Sequence, residues 1–275
     1  MGYLQPKKYH FQQQWLKFDL LKMLVKRELE DRYKGSLLGN FWPLLTQLSH
    51  LLIYTYVFSI VLQVKLSLAG LPEDDSLIFG FWLFAGLVPW MAFTGGLVEA
   101  SNTVVAQTNL VKKVVFPLSL LPLVPIFAAL VESAFGLVTL IVLYALIQGT
   151  LHETLVFLPL VWMPQILFTT GLAYLTAALT VFLRDIPQTL SVIFHLWFYL
   201  TPIVYPPNVI PEQFQDVVFW VNPMAIITQL YRDTIIIGNV EHWGQLGVLT
   251  IISLLVFYGG FWTYQRLRPG FADVL

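Results

Sequence analysis

The strongest constraint in this sequence is a series of apolar stretches, each long enough to cross a bilayer. A spanning helix needs about 20 mostly apolar residues. Residues 41–64 supply 24 without a charged side chain, 77–98 supply 22, and 154–183 supply 30. Residues 114–151 are interrupted only by Glu132, 186–205 is one span in length, and 244–265 is the last uncharged run. Hydrophobic residues make up 57% of the 275 and charged ones 11%, where a soluble domain is about 25% charged. The polar surface that a soluble fold requires is missing. With no cysteine, disulfides, thiolate catalysis and cysteine-held metal are excluded. The expectation is an all-α integral membrane protein, a single transmembrane domain over 1–275 with a six-span bundle in 41–265.

Residues 1–40 hold eight Lys/Arg and no apolar core of a cleavable signal, so insertion is expected to start with the run at Phe41. The third run has no turn chemistry at Glu132-Ser133-Ala134-Phe135. One long helix is expected there, beginning near Pro117 and bent by Pro122 and Pro125. Six spans with both termini inside put thirteen of the fifteen Lys/Arg on the inner side and leave Lys65 and Arg232 outside. That asymmetry is the positive-inside pattern. A seventh span would carry Arg266 and Arg268 outside, against it.

Two segments are expected to be helical without spanning. In 206–243, Pro206-Pro207 ends the fifth span and Pro211-Glu212 opens a short helix near 211–221. Asn222-Pro223 opens a second, near 223–237, with Gly238 at its C-terminal cap. An external gate or re-entrant hairpin is one reading; an amphipathic cover on the bilayer surface is the other. In 12–34, Asp19, Lys22, Lys26 and Glu30 share one stripe, with Leu20, Leu21, Leu24 and Val25 on other faces. This helix reads either as lying in the inner interface or as a positive anchor that sets topology.

Enzyme motifs are absent. There is no G-x-x-x-x-G-K-[ST] phosphate loop, G-x-G-x-x-G, H-E-x-x-H or G-x-S-x-G. No Asp/Glu/His cluster has metal-ligand spacing, so neither a metal site nor a catalytic residue is assigned. His50 and His195 fall within spans, each isolated, and read as buried, satisfied side chains. Glu132 is the one carboxylate deep in a span, either a transport residue or a structural partner for a neighbouring helix. Trp42, Trp82, Trp90, Trp162 and Trp243 are expected near span ends, as interface belts require.

Arg27-Glu28-Leu29-Glu30-Asp31-Arg32-Tyr33-Lys34-Gly35-Ser36-Leu37-Leu38-Gly39, followed by Trp42-Pro43, resembles the start of type-2 ABC exporter permeases for cell-surface polysaccharides. Further matches follow in order: Lys113-Val114-Val115-Phe116-Pro117 with Leu121-Pro122, Phe182-Leu183-Arg184-Asp185-Ile186, Thr201-Pro202-Ile203-Val204-Tyr205-Pro206, Asn222-Pro223-Met224, and Tyr231-Arg232 before Gly238. Ser119 departs from the pattern, in which that position is commonly charged. The resemblance implies a homodimer of six-span permeases bound to two copies of a separate Walker-motif ATPase. ATP and magnesium would sit on that partner, with no cofactor in this chain. The cargo would be a lipid-linked polysaccharide (O-antigen, capsule or teichoic acid, leaning to O-antigen) crossing a bacterial cytoplasmic membrane, with membrane lipid around the bundle and no nucleic acid as partner. The loop 99–116 would act as the coupling helix, with Ala100, Asn102, Gln107, Asn109, Lys112 and Lys113 as its ATPase-docking candidates.

Three basic residues, Arg27, Arg32 and Lys34, lie at expected headgroup depth and suit a lipid diphosphate; the alternative is ordinary positive-inside charge. Aromatic faces stack on the apolar C–H faces of sugar rings without demanding one geometry. That makes Tyr54, Tyr56, Phe58, Tyr199 and Tyr205 conduit candidates, with Asn222 and Pro223 at the gate. Two other functions stay open. An intramembrane enzyme acting on lipid-linked sugars would need an acid pair such as Asp74-Asp75, which lies on an outer loop. A secondary transporter would need paired, interrupted spans in corresponding halves, and no such repeat is visible.

Overall fold

The computed structural model describes residues 6–62, 76–113 and 116–275. Lys65, the Asp74-Asp75 pair and Val114-Val115 lie outside the described residues. Helices account for nearly all of the rest, with no strand among the described residues. Helix α1 is Pro6–Arg32. Helix α2 is Trp42–Tyr54, prolonged by a π-helical stretch at Thr55–Val61. Helix α3 is Ser76–Ala106 and α4 is Thr108–Lys113. Next come α5 at Leu123–Gln148, α6 at Leu158–Phe182 and α7 at Ile186–Leu200. The chain closes with α8 at Glu212–Val221, α9 at Pro223–Arg232, α10 at Trp243–Leu267 and α11 at Phe271–Val274.

Among the described residues, four helical stretches are long and apolar enough to cross a membrane: Leu77–Ala106, Leu118–Gln148, Glu153–Phe182 and Trp243–Val274. The sequence expectation was six. The first apolar run is helical over its described part but changes to π geometry at Thr55. The fifth is a shorter apolar helix, Ile186–Leu200. It stops there because Pro202 pushes Thr201 into extended geometry (φ −105°, ψ 130°). Glu132 lies within one unbroken helix, as expected. The spanning stretch starts at Leu118, near Pro117 as expected, with a 3-10 turn at Leu118–Leu120 before the α-helix proper opens at Leu123. Pro122 is its N-cap and Pro125 sits in its first turn, so these prolines open the helix and do not bend it.

Helix α3 is the centre of the bundle. Phe79, Trp82, Leu83, Phe84, Ala85 and Phe93 are almost wholly buried, packed by α5, α6 and α9. Pro89 interrupts the ladder inside α3. Two nearby carbonyls accept from neighbouring helices: Ser133 Oγ donates to Val88 O at 3.2 Å, and Gln165 Nε2 to Pro89 O at 3.2 Å. Such polar ties hold helices together where apolar burial cannot discriminate protein from lipid. Trp82 and Trp90 therefore belong to the core, 0% and 6% exposed. They do not form an interface belt, because α3 is surrounded by protein. Helices α6 and α10 approach at Gly171 and Gly260; a Cβ on Gly171 would lie 2.6 Å from the backbone of Phe257. Beside them Tyr174 and Tyr264 donate to Ser119 O at 3.0 Å and Leu118 O at 2.8 Å. These two hydroxyls satisfy the turn that precedes α5.

The two short helices of 206–243 form as expected, and they part company in burial. Helix α8 leaves Phe214, Val217 and Trp220 exposed. Helix α9 is buried from Met224 to Arg232, together with Asp233–Ile236 of the π-helical continuation Asp233–Ile237, and Gly238 closes it in left-handed geometry (φ 74°). A surface cover would leave one face open, so α9 is the inserted element of the pair. Helix α1 half-buries Leu20, Leu21, Leu24 and Val25 and packs on α5. It leaves Trp15, Leu16, Phe18 and Met23 exposed.

Candidate functional site

Three cavities meet around the middle and one end of α3. A notch of about 490 Å³ lies between α1, the end of α3 and the starts of α5 and α7, lined by Arg27, Glu28, Asp31, Glu99, Asn102 and Gln107 among others. A smaller cavity of about 130 Å³ is lined by Arg32, Tyr33, Gln47 and Glu132. A groove of about 600 Å³ runs between α2, α3 and α7, past Tyr54, Trp90, Phe198 and Tyr199. Glu99 and Val98 line both the notch and the groove, while Met91 and Gly95 line both the groove and the small cavity.

The junction is held by charge. Arg32, at the end of α1, donates from Nη1 to Glu132 Oε2 of α5 at 3.1 Å and from Nη2 to Glu99 Oε2 of α3. Its Nε lies 3.5 Å from Glu28 Oε1, one helical turn back. Tyr33 donates its hydroxyl to Glu132 Oε1 at 2.8 Å. Burial first, and the Glu132 carboxylate second, push the Tyr33 hydroxyl up to about 12, so it stays a donor at neutral pH. One guanidinium thus holds three carboxylates and ties α1 to α3 and α5. Glu132 is a structural partner here, and the Arg32 side chain is only 20% exposed.

This sorts the basic candidates. Arg32 is turned inward onto carboxylates. Arg27 and Lys34 remain exposed, Arg27 beside Asp31 at 3.4 Å. Of the docking candidates, Asn102, Gln107, Asn109 and Lys112 are exposed around the α3–α4 break at Gln107. Ala100 is fully buried in the core and offers a docked chain no surface. Lys113 is the last residue of α4.

The aromatic candidates divide. Tyr54 and Tyr199 share the groove wall. Phe58 stacks on Tyr54 at 6.2 Å between ring centroids, and the Tyr205 hydroxyl donates to Tyr199 O at 2.9 Å. Tyr56 points to an open face, 59% exposed, and lies outside that groove. Asn222 is a latch. Its Oδ1 accepts from Met224 N at 3.1 Å, Ala225 N at 3.3 Å and Trp197 Nε1 at 2.9 Å, and its Nδ2 donates to Thr201 Oγ1 at 3.0 Å. Asn222 and Pro223 thereby start α9 and pin it to the end of α7.

Arg232 was expected on the outer side, in the second short helix, with no role assigned to it. Arg232 is 0% exposed. Its Nε donates to Trp82 O at 3.1 Å, Nη1 to Pro202 O at 2.7 Å and Nη2 to Ile203 O at 2.8 Å, with its guanidinium 3.4 Å from the Trp82 ring centroid. Gly86 provides the room: a Cβ there would sit 2.6 Å from Nη2. The adjoining Asp233 is 1% exposed and meets His242 Nδ1 at 2.5 Å. The amphipathic pattern of 223–237 was the available signal; nothing in one dimension says that its polar residues face inward.

Apolar helices wrapped around polar and aromatic cavities, with charges paired inside the bundle, are the architecture of a membrane-embedded transport protein. The chain belongs to the ABC-2 type transporter family, which matches residues 19–236. It is 29% identical over 262 residues to the O-antigen export system permease protein RfbA of Klebsiella pneumoniae, covering 94% of this chain and 95% of that one. It is 30% identical to the protein of the same name from Myxococcus xanthus, covering 92% and 94%. It is 23% identical to the polysialic acid transport protein KpsM of Escherichia coli, covering 90% and 95%.

Proposed function

We propose that this chain is the transmembrane permease subunit of an ATP-driven exporter that moves a lipid-linked polysaccharide, O-antigen first among the candidates, across a bacterial cytoplasmic membrane. The observation that carries the reading is similarity along more than nine-tenths of both chains to O-antigen export permeases. Two copies form the conduit at their interface, each with six spans and both termini inside. The fifth and first spans in this reading are α7 and the Trp42–Val61 stretch.

The energy comes from two copies of a separate ATPase, which binds the ATP and magnesium. That partner docks on the exposed Asn102, Gln107, Asn109 and Lys112 around α4, with Lys113 beside them. A push on α4 reaches Glu99 through α3, and Arg32 passes it to α1. Arg27 and Lys34 meet the lipid diphosphate at the inner surface, where α1 lies in the interface.

The test is deletion of the chain in its host. Loss of surface polysaccharide with accumulation of the same polymer inside, restored by the intact chain, is expected. Unchanged surface polymer overturns the reading. Co-purification of a Walker-motif ATPase whose hydrolysis depends on this chain tests the partner separately.

A further inference from the structure

The groove between α2, α3 and α7 has two features that neither its aromatic lining nor the family requires. His50 of α2 and His195 of α7 both line it. Each places Nδ1 on the carbonyl one turn back in its own helix: His50 on Thr46 O at 2.8 Å, His195 on Ser191 O at 2.6 Å. A carbonyl only accepts, so Nδ1 carries the proton in both rings. In the neutral ring this fixes the tautomer and leaves Nε2 as an acceptor with no second partner among the described residues. An acceptor that lines a groove between spanning helices costs free energy unless the content of the groove donates to it. Two of them on one groove wall point to a content that donates hydrogen bonds.

The rest of the wall narrows that content. Tyr54, Trp90, Phe198 and Tyr199 offer aromatic faces, and Thr94 adds a hydroxyl. The Thr94 hydroxyl is already turned back to Trp90 O at 3.0 Å. The one carboxylate on the wall, Glu99, is paired with Arg32, which it shares with Glu28 and Glu132. Apolar faces, two fixed acceptors and a carboxylate only partly offset by its arginine suit a neutral, polyhydroxylated ring and disfavour a lipid phosphate.

We propose that His50 and His195 are specificity-determining residues of this groove, their Nε2 atoms accepting hydrogen bonds from hydroxyls of a neutral sugar while its ring faces stack on the aromatic wall. This rests on the polysaccharide reading above and deepens it. Acceptors fixed by the helix backbone grip a hydroxyl in one place, whereas stacking alone lets the polymer slide.

The experiment uses the full chain in cells, with the surface polymer labelled metabolically by a radioactive hexose. A photo-cross-linking residue is placed at Tyr199, with a control at the exposed Leu255 of α10. His→Phe and His→Gln variants are made at positions 50 and 195, and export rate and membrane abundance are followed. The expected result is a labelled glycan adduct from position 199 and none from position 255. Each His→Phe variant should export about fivefold more slowly at unchanged abundance, the loss of one neutral hydrogen bond. His→Gln, which keeps an acceptor, should recover most of the rate.

Wild-type export in both His→Phe variants overturns the proposal. So does equal failure of the Phe and Gln variants, which marks a structural role. A chain-to-chain adduct without glycan at position 199 assigns the groove to a second copy and overturns it too. If surface polymer survives deletion of the chain, the export reading falls and this inference falls with it. If deletion abolishes the polymer and the variants behave as wild type, only this inference falls.

Discussion

Two arginines show how much a single charge decides here. Arg232 is buried among three carbonyls and the Trp82 ring. Its replacement by Met leaves those acceptors unpaired, at a cost on the order of 3–5 kcal/mol. The expected outcome is loss of folded chain from membranes, measured as abundance and thermal stability in detergent. Gly86→Ala should do the same from the other side, since its methyl would collide with the guanidinium. Arg32 is different, because it is partly open to solvent. Arg32→Gln leaves Glu28, Glu99 and Glu132 facing one another and should weaken α1 docking by about 2 kcal/mol. Faster hydrogen exchange in α1, with α6 and α10 unchanged, is the measurement.

At the scale of elements, α9 is held at both ends. Asn222→Ala removes its N-cap and the ties to Trp197 and Thr201, an effect of about 2 kcal/mol. Hydrogen exchange in the first turn of α9 should rise accordingly, while α8 stays as it was. The other end rests on Asp233 and His242. The Asp233 hydrogen bond raises the His242 pKa against the opposing effect of burial, and the charges of Asp233 and Glu241 add to the rise. A raised histidine pKa stabilises below the unfolded value, near 6.5, and that stability is lost as pH climbs through the higher folded value. The protection factors of residues 233–243, taken relative to base-catalysed intrinsic exchange, should therefore fall as pH rises from 6 into the alkaline range. His242→Gln should flatten the profile; an unchanged slope would show that the pair does not hold the segment.

These elements also show where one dimension is informative. The cap at Asn222, the stop at Gly238 and the continuity of the helix through Glu132 were legible because each depends on neighbours within a few residues. The bends expected at Pro122 and Pro125 were misread because a proline that opens a helix and one that bends it look alike until the turn before it is seen. Trp82 and Trp90 were assigned to interface belts for a similar reason. A tryptophan's depth depends on which helices surround its own.

On the scale of the whole molecule, the three cavities share walls along α3, so a movement at α4 bears on the notch, the charged junction and the groove together. Charge reversal at Lys112 and Lys113 should leave the chain inserted and folded while export falls by at least tenfold relative to ATP hydrolysis. Measuring both rates in reconstituted membranes checks this, and coupling at the wild-type ratio would remove α4 from the docking surface. Thirteen of fifteen basic residues on one expected side, apolar runs of span length and the absence of a phosphate loop were all readable from the residues alone. They follow from composition and local order, which the bilayer and the helix period sort without help from tertiary contacts. The structure alone placed Arg32 on three carboxylates, Arg232 in the core and α9 inside the bundle. Those arrangements join residues up to 150 positions apart, and a buried charge reveals its partners only when the helices have packed around it.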